Sequence, residues 1–415
     1  MARRHTESST ASSPGILQML REDAEMKKHQ RAVMLTLAAV TFLHFHTVSA
    51  RTPSTSASSF TITDLGTLGG TESFADAIND RGEVVGLSRL SGDRALHTFV
   101  YRRRTMTDLS PLNSGSIIAG PSDINNKGQI ASGVIGGDGV YYPAIYDDDT
   151  GITILGSLGT PTWYGFSGTA TSVNNRGQAV GYSYIDGETR HAFLYSDGVM
   201  TDLGSTGGYS AALGINDSGQ AAGFSADGPF GYARACVYSN GTMTIIDPFG
   251  GPTNESYARG INNAGQVVGE GFTPAGYFNA FVYSDGVSTN LGTLRGGHNS
   301  VAFSINDDGL TVGIADYPYT AICRDPYTYL DVPCIKYGQH GFLSDHGVMT
   351  DLNSVIPADA GWDLQWAVDI NNQGQIVGYG TLNGAYRAFV LSPCESKGHG
   401  RAEKNGSCRA SKFDR

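Results

Sequence analysis

Ile78-Asn79-Asp80-Arg81-Gly82 returns six more times along the chain, as Ile124-Asn125-Asn126-Lys127-Gly128, Val173-Asn174-Asn175-Arg176-Gly177, Ile215-Asn216-Asp217-Ser218-Gly219, Ile261-Asn262-Asn263-Ala264-Gly265, Ile305-Asn306-Asp307-Asp308-Gly309 and Ile370-Asn371-Asn372-Gln373-Gly374. The first Asn of each copy falls at 79, 125, 174, 216, 262, 306 and 371, so the steps are 46, 49, 42, 46, 44 and 65 residues and only the last carries an insertion. A fixed period of this size marks a repeat architecture. Asn and Asp bond their own backbone, and Gly takes a positive φ without a Cβ clash, so each Asn-x-x-Gly is a hairpin turn.

Outward from the turn, each unit reads as four short strands. A small residue stands four positions before the Asn (Ala75, Pro121, Ala170, Ala212, Ala258, Ala302, Ala367) and a β-branched residue immediately before it, the mark of a crowded strand buried on both faces. Val84-Val85-Gly86, Val268-Gly269 and Ile376-Val377-Gly378 mark the second strand, and His97 to Tyr101, His191 to Tyr195, Ala280 to Tyr283, Gly341 to Leu343 and Ala388 to Leu391 the third. A second Gly turn, such as Ser196-Asp197-Gly198, leads to a fourth strand, as in Met200-Thr201-Asp202-Leu203. Four strands per unit and seven units predict an all-β, seven-bladed β-propeller. The chain opens on a lone fourth-strand sequence, Thr61 to Gly66, and closes on a third strand, Arg387 to Leu391, that lacks its fourth, so the first strand is expected to complete the last blade and remove the free edges. An open β-solenoid is the alternative, with turns of ~20–30 residues that fit these units less well.

The His191-Ala192-Phe193 strand, the Asn-x-x-Gly turn and Leu65-Gly66-Thr67-Leu68-Gly69-Gly70, which returns as Leu291-Gly292-Thr293-Leu294-Arg295-Gly296-Gly297, resemble the HAF family of probable extracellular repeat proteins over about residues 61–392. The resemblance implies a bacterial, exported protein and a repeat type rather than an activity. The triplet itself departs in other copies, with Thr98, Gly341 and, in Ala235-Cys236-Val237, Cys236 in the place of Phe. Neither a Trp-Asp dipeptide nor kelch spacing occurs.

Composition bounds the function. The chain has 415 residues and a net charge of −11; residues 1–50 hold 6 Lys+Arg and 4 Asp+Glu and residues 395–415 hold 6 and 3, which leaves 16 basic against 32 acidic residues in the body. Such a body repels phosphate backbones, so no nucleic-acid partner is expected. Met26 to Arg31 reads as a basic n-region, Ala32 to Phe45 as an apolar stretch and Val48-Ser49-Ala50 as a cleavage site. Residues 1–50 are therefore a signal region with a working start at Met26, 51–59 a linker, 60–394 the propeller with an insertion at 314–339 in blade 6, and 395–415 a tail. An uncleaved anchor is the alternative. No other apolar run is long enough to span a membrane, so a secreted or extracellular, soluble monomer is expected, with periplasm or cell surface as variants.

Five cysteines in an exported chain allow two disulfides and one remainder. Cys323 and Cys334 lie inside the insertion, where a bridge would tie down a long loop, and Cys394 and Cys408 could pin the tail; a bond between insertion and tail stays open. Cys236 reads as a small buried hydrophobe. Asp147-Asp148-Asp149 and Asn306 to Gly309 lack the ligand spacing of a calcium loop, and His97, His191 and His340 take equivalent places in different units, so no metal or cofactor is assigned. No hydrolase, metalloprotease or phosphate-loop motif occurs.

If the Asn-x-x-Gly and Ser-Asp-Gly turns form one face of the ring, the long, variable connections form the other, and they are rich in aromatic residues. Trp163, Tyr164, Tyr184, Phe230, Tyr277, Tyr317, Trp362, Trp366 and Tyr386 are the candidate binding residues there. All three Trp are expected in connections, before the third and seventh Asn turns, so one extended ligand could touch both sides of the channel mouth; the competing reading is that these rings cap the blades. A secreted binding or adhesion module for a glycan, peptide or cell-surface partner is the first function class. The second is a polysaccharide-active hydrolase or lyase at the channel mouth, with Asp227, Glu188 and Asp363 as acid and base, and the third is a purely structural role in an envelope or matrix. No residue is assigned a catalytic role, which favours the first class.

Overall fold

A computed structural model describes residues 60–93, 95–109, 118–250, 253, 255–324 and 331–394. The expected signal region, linker and C-terminal tail lie outside the described residues. Strand pairing gives seven four-stranded antiparallel sheets, and six of them run in simple sequence order. The seventh takes its outer strand, Phe60–Asp64, from the start of the propeller: it pairs with Ala385–Pro393 from Phe60 opposite Pro393 to Asp64 opposite Phe389. The protein is a seven-bladed β-propeller closed as the repeat pattern predicts. Among the described residues the only helical segment is a 3-10 turn at Leu352–Ser354, and no helix is long and apolar enough to cross a membrane.

The strand that ends in the Asn turn is the innermost of each blade: Gly69–Ile78, Ile118–Ile124, Gly168–Val173, Ser210–Ile215, Ser256–Ile261, Ser300–Ile305 and Trp362–Ile370 for blades 1 to 7. The turn is built by the Asn itself. In blade 1 the Asn79 side-chain oxygen accepts from the backbone N–H groups of Arg81 and Glu83, both at 3.0 Å, while Gly82 takes φ 73°.

The small residue four positions earlier is small because of its partner. Ala75, Ala170, Ala212, Ala258, Ala302 and Ala367 each pair with a Gly of the second strand, and in five blades that Gly pairs onward with the third-strand Phe: Phe99, Phe193, Phe281, Phe342 or Phe389. A Cβ on Gly378 would run into the Trp366 carbonyl and sit 3.0 Å from the Phe389 ring. Blade 2 makes the compensating swap, with Ser132 for the Gly and Ala144 for the Phe.

Seven of the hydrophobic clusters straddle the seven interfaces between neighbouring blades, so the core is a ring of interfaces rather than one centre. Phe99 of blade 1, for example, packs with Val377 and Ala388 of blade 7. Cys236, at the blade 4 position of the Phe, is free and fully buried, and burial pushes its thiol up to about 12.

The insertion expected as a loop in blade 6 is instead a continuation of its hairpin. Thr311–Arg324 and Asp331–Asp345 pair without a break in register from Thr311 opposite Ser344 to Arg324 opposite Asp331. Tyr317, Tyr319, Ile322, Ile335 and Tyr337 are good strand formers, and the period-2 alternation simply carries on. The Cys323–Cys334 disulfide clamps this arm, with the two Cα atoms 5.7 Å apart. Cys408 lies outside the described residues, so its expected bond to Cys394 is not described.

Candidate functional site

The inner strands enclose an axial channel of about 390 Å³. At one mouth the seven Asn turns bond to one another in two closed rings. In the inner ring the side-chain amide of each first Asn donates to the backbone carbonyl of the first Asn in the next blade, from Asn79 to Asn125 and around to Asn371, which returns to Asn79 at 2.9 Å. In the outer ring the backbone N–H of each following residue donates to the side-chain oxygen of its counterpart in the next blade, from Asp80 to Asn126 and around to Asn372, which returns to Asp80 at 2.8 Å. Asp80, Asp217 and Asp307 never neighbour one another in this ring. Each receives a side-chain N–H from an adjacent Asn: Asn126 or Asn372, Asn175, and Asn263 or Asn372. The Asn/Asp alternation of the repeat thus keeps like charges apart.

Further in, every inner strand is bulged at the same place, three positions before the Asn, where the register slips by one residue. A bulge re-aims side chains, and residues both three and two before the Asn line the channel, among them Asp76, Asp123, Arg259, Phe303 and Asp369. Asp123 accepts from Ser172 Oγ (2.6 Å) and Val173 N (2.9 Å) of the next blade, and Asp369 from Ser304 Oγ (2.6 Å) and Ile78 N (2.8 Å) of its two neighbours. Burial raises both carboxyls, and the charge of Asp123 helps lift Asp369 to about 6. Arg259, the basic residue of the wall, is held by Glu270 at 2.6 and 2.5 Å.

Around the channel runs a chain of aromatic contacts, of which Phe303 itself lines the wall. Phe74 meets Tyr379 (5.1 Å between centroids), Tyr379 stacks on Trp366 (5.4 Å) and Trp366 on Phe303 (5.7 Å). The Arg259 guanidinium bridges Phe303 (5.6 Å) to Tyr257 (5.9 Å), and the chain goes on through Phe224 and Tyr209 to Arg190, Tyr182, Phe166 and Tyr141. This arc touches all seven blades and is open between the first and the second.

The candidates named from sequence fall into separate groups. Trp163 and Tyr164 form an exposed pair, 85% and 50% accessible with rings 4.2 Å apart, in the connection from blade 2 to blade 3. Phe230 is fully exposed in the loop of blade 4. Tyr386 and Trp366 join the arc, and Tyr184 leans on it through Phe166 at 6.0 Å. Tyr277 stacks on His298, and Tyr317 lies over His340 at 3.8 Å.

Trp362 and Trp366 correct the expectation that all three Trp lie in connections. Both are half-buried within the inner strand of blade 7, whose register shifts twice, and Trp362 packs edge-on against Phe389. Sequence reasoning missed Phe74, Tyr182, Tyr209, Phe224, Tyr257 and Phe303. For Phe74, Tyr182, Phe224 and Tyr257 the findable signal was the residue five before each Asn together with the one after the second-strand Gly, which are cross-strand partners, whereas Tyr209 and Phe303 lie outside that pattern.

The remaining polar candidates have local partners. His97, His191 and His340 each present Nδ1 to an Asp eleven residues on, Asp108, Asp202 and Asp351, at 2.7–3.0 Å, which clamps third strand to fourth. His340 also reaches Asp363 at 3.2 Å, and the two carboxylates outweigh burial to raise it to about 9. Asp227 faces Arg234 at 3.8 Å, and the Glu188 backbone is capped by Asp186, so Asp227, Glu188 and Asp363 are engaged separately on three blades. Asp148 pairs with Arg102. Among the described residues no group of three or more His, Cys, Asp or Glu side chains is arranged to hold a metal.

No protein-family model matches the sequence, and no curated protein matches it. Solved structures similar to it include TolB from Acinetobacter baumannii (13% identity, 75% of this chain and 63% of that one, TM-score 0.40) and YCF48 bound to D1 peptide (11%, 81% and 97%, 0.43). A mutant of the Aleuria aurantia lectin in complex with Fucalpha1-6GlcNAc is a third (10%, 78% and 96%, 0.32). The chain thus spans 63% of the length of TolB. At this level the likenesses say nothing of ligand or activity, and the propeller architecture rests on the strand pairing itself.

Proposed function

We propose that this chain is an exported repeat protein of the HAF type that works as an extracellular binding or adhesion module, in the medium, in the periplasm or at the cell surface. Its ligand, a glycan, peptide or surface partner, lies across the aromatic mouth of the channel. The observation that carries this reading is the arc from Phe74 through Trp366, Phe303 and Tyr257 to Tyr141, with the accessible rings of Trp163, Tyr164, Phe230 and Tyr386 among the same loops and strand ends. Aromatic faces bind sugar rings and apolar side chains while losing little conformational entropy, and variable loops on a rigid scaffold are where recognition usually resides. The Cys323–Cys334 disulfide supports an oxidising compartment. The HAF reading rests on the recurring sequence motifs alone.

The experiment is an array of immobilised glycans and peptides probed with the purified propeller. Retention without shortened products is expected. Shortened products would replace this reading with the hydrolase or lyase. Stacking on an exposed ring is worth roughly 1–2 kcal/mol when desolvated, so Trp163→Ala should weaken binding about tenfold.

A further inference from the structure

The clamp in blade 3 differs from its counterparts in what meets the other ring nitrogen. His340 turns Nε2 to a carboxylate, Asp363. His191 turns Nε2 to a hydroxyl, Ser205 Oγ, at 3.2 Å, while its Nδ1 lies 3.0 Å from both Asp202 oxygens. The neutral imidazole that donates from Nδ1 to Asp202 has a lone pair on Nε2, and a serine hydroxyl donating to it is the polarity of an activated nucleophile. We propose that Ser205, His191 and Asp202 form a nucleophilic acyl-transfer site on the loop face, taking esters with an apolar acyl group. This activity is distinct from the binding proposed above and shares with it the exposed Phe230.

The fold shows that Ser205 is set apart from its equivalents. Thr67, Ser157 and Thr293 occupy the same turn after other fourth strands, and each donates its hydroxyl to a backbone carbonyl, that of Gly70, Gly159 or Gly297, at 2.7–3.0 Å. Ser205 alone of the four faces an imidazole. It is partly exposed and Asp202 is exposed, while the His191 side chain is 16% accessible, so a substrate can reach the hydroxyl and the base is sheltered. The Gly207 N–H donates to Oγ on a long bond of 3.3 Å. The turn rests on blade 4 through Thr206 N to Ser225 Oγ and Gly208 N to Ala226 O, and the loop that follows carries the exposed Phe230 and Tyr232, the source of the preference for an apolar acyl group. The three residues fit none of the familiar local motifs, because the turn after the fourth strand brings Ser205 back beside the third.

In the reaction Ser205 Oγ forms a bond to the acyl carbon, its proton passes to His191 Nε2, and the bond to the leaving alkoxide breaks as that proton is handed on. Water then gives a proton to Nε2, its oxygen takes the acyl group, and Ser205 recovers its proton. No other reactant is needed.

The test uses the purified chain with a fluorophosphonate probe, which Oγ would attack at phosphorus with loss of fluoride, and with p-nitrophenyl butyrate. Labelling at Ser205 by peptide mapping is expected, abolished in Ser205→Ala and lowered at least 100-fold in His191→Gln, with ester hydrolysis falling in parallel. Because His191→Gln also removes a clamp, His97→Gln, which removes the equivalent clamp in blade 1, is the control and should leave labelling unchanged. No label on Ser205 in the folded chain, label that persists in His191→Gln, or an equal loss in His97→Gln would overturn the proposal.

Discussion

In blade 7, Trp366 stands six positions before Asn372, on the inner strand that leads into the Asn turn. At the Asn372 end every blade presents Asn or Asp at the same place, because each side chain there must meet a backbone N–H of its neighbour. At the Trp366 end the equivalent residues are Phe74, Gly120, Thr169, Ala211, Tyr257, Val301 and Trp366, with no common chemistry. Positions that repeat hold the ring together, and on the function proposed above the positions that do not repeat are those that choose a ligand.

Removing the closure strand, residues 60–66, is the harshest way to break that division. It strips the outer strand from blade 7 and bares the edge of Ala385–Pro393. Loss of a cooperative melt and aggregation in size-exclusion chromatography are expected; unchanged melting and solubility would mean that closure contributes nothing.

Asn216→Ala tests the repeating end directly. Asn216 donates to Gln220 Oε1 and to the Asn262 carbonyl and accepts from the Ser218 and Gln220 N–H groups, all while nearly fully buried. Losing these bonds should cost about 2–4 kcal/mol in denaturant unfolding.

The channel wall gives a smaller, pH-dependent effect. Asp369 titrates near 6 in the folded chain against 3.8 as its ordinary value, so it adds stability below about pH 4 that is lost as pH rises through 6. Wild type should therefore gain about 1 kcal/mol over Asp369→Asn between pH 7 and pH 5. His340 behaves as a raised base: its contribution is whole below 6.5 and lost as pH rises through about 9, so His340→Gln should flatten the melting profile on the alkaline side. Parallel curves for wild type and either variant would contradict the stated causes. Trp163→Ala should do least to stability, within about 0.5 kcal/mol, since the ring is 85% accessible. A lowered melting point with unchanged affinity would return that ring to the blade cap.

How far the sequence reveals each end follows from the same division. Asn79 and its six counterparts announce the turns, Gly378 and Phe389 the packing, and Thr61 to Gly66 the closure, because each depends on residues nearby in the chain or at a fixed period. The aromatic arc depends on contacts such as Trp366 with Phe303 across a blade interface, which no local pattern carries. The bulge three positions before each Asn leaves no compositional trace, since Asp76, Leu213, Arg259 and Val368 all occupy it. The blade 6 arm was hidden because Cys323 and Cys334 read equally well as pinning a loop or a hairpin.

Binding measured on both mouths at once tests the central claim most directly. Wild type, a Trp163→Ala/Phe230→Ala variant on the aromatic face and an Asp217→Asn variant on the Asn-turn face, matched for melting temperature, are compared on the same glycan and peptide arrays. The account expects retention by wild type and Asp217→Asn and at least a tenfold loss in the aromatic variant. Retention by the aromatic variant with loss in Asp217→Asn would contradict it.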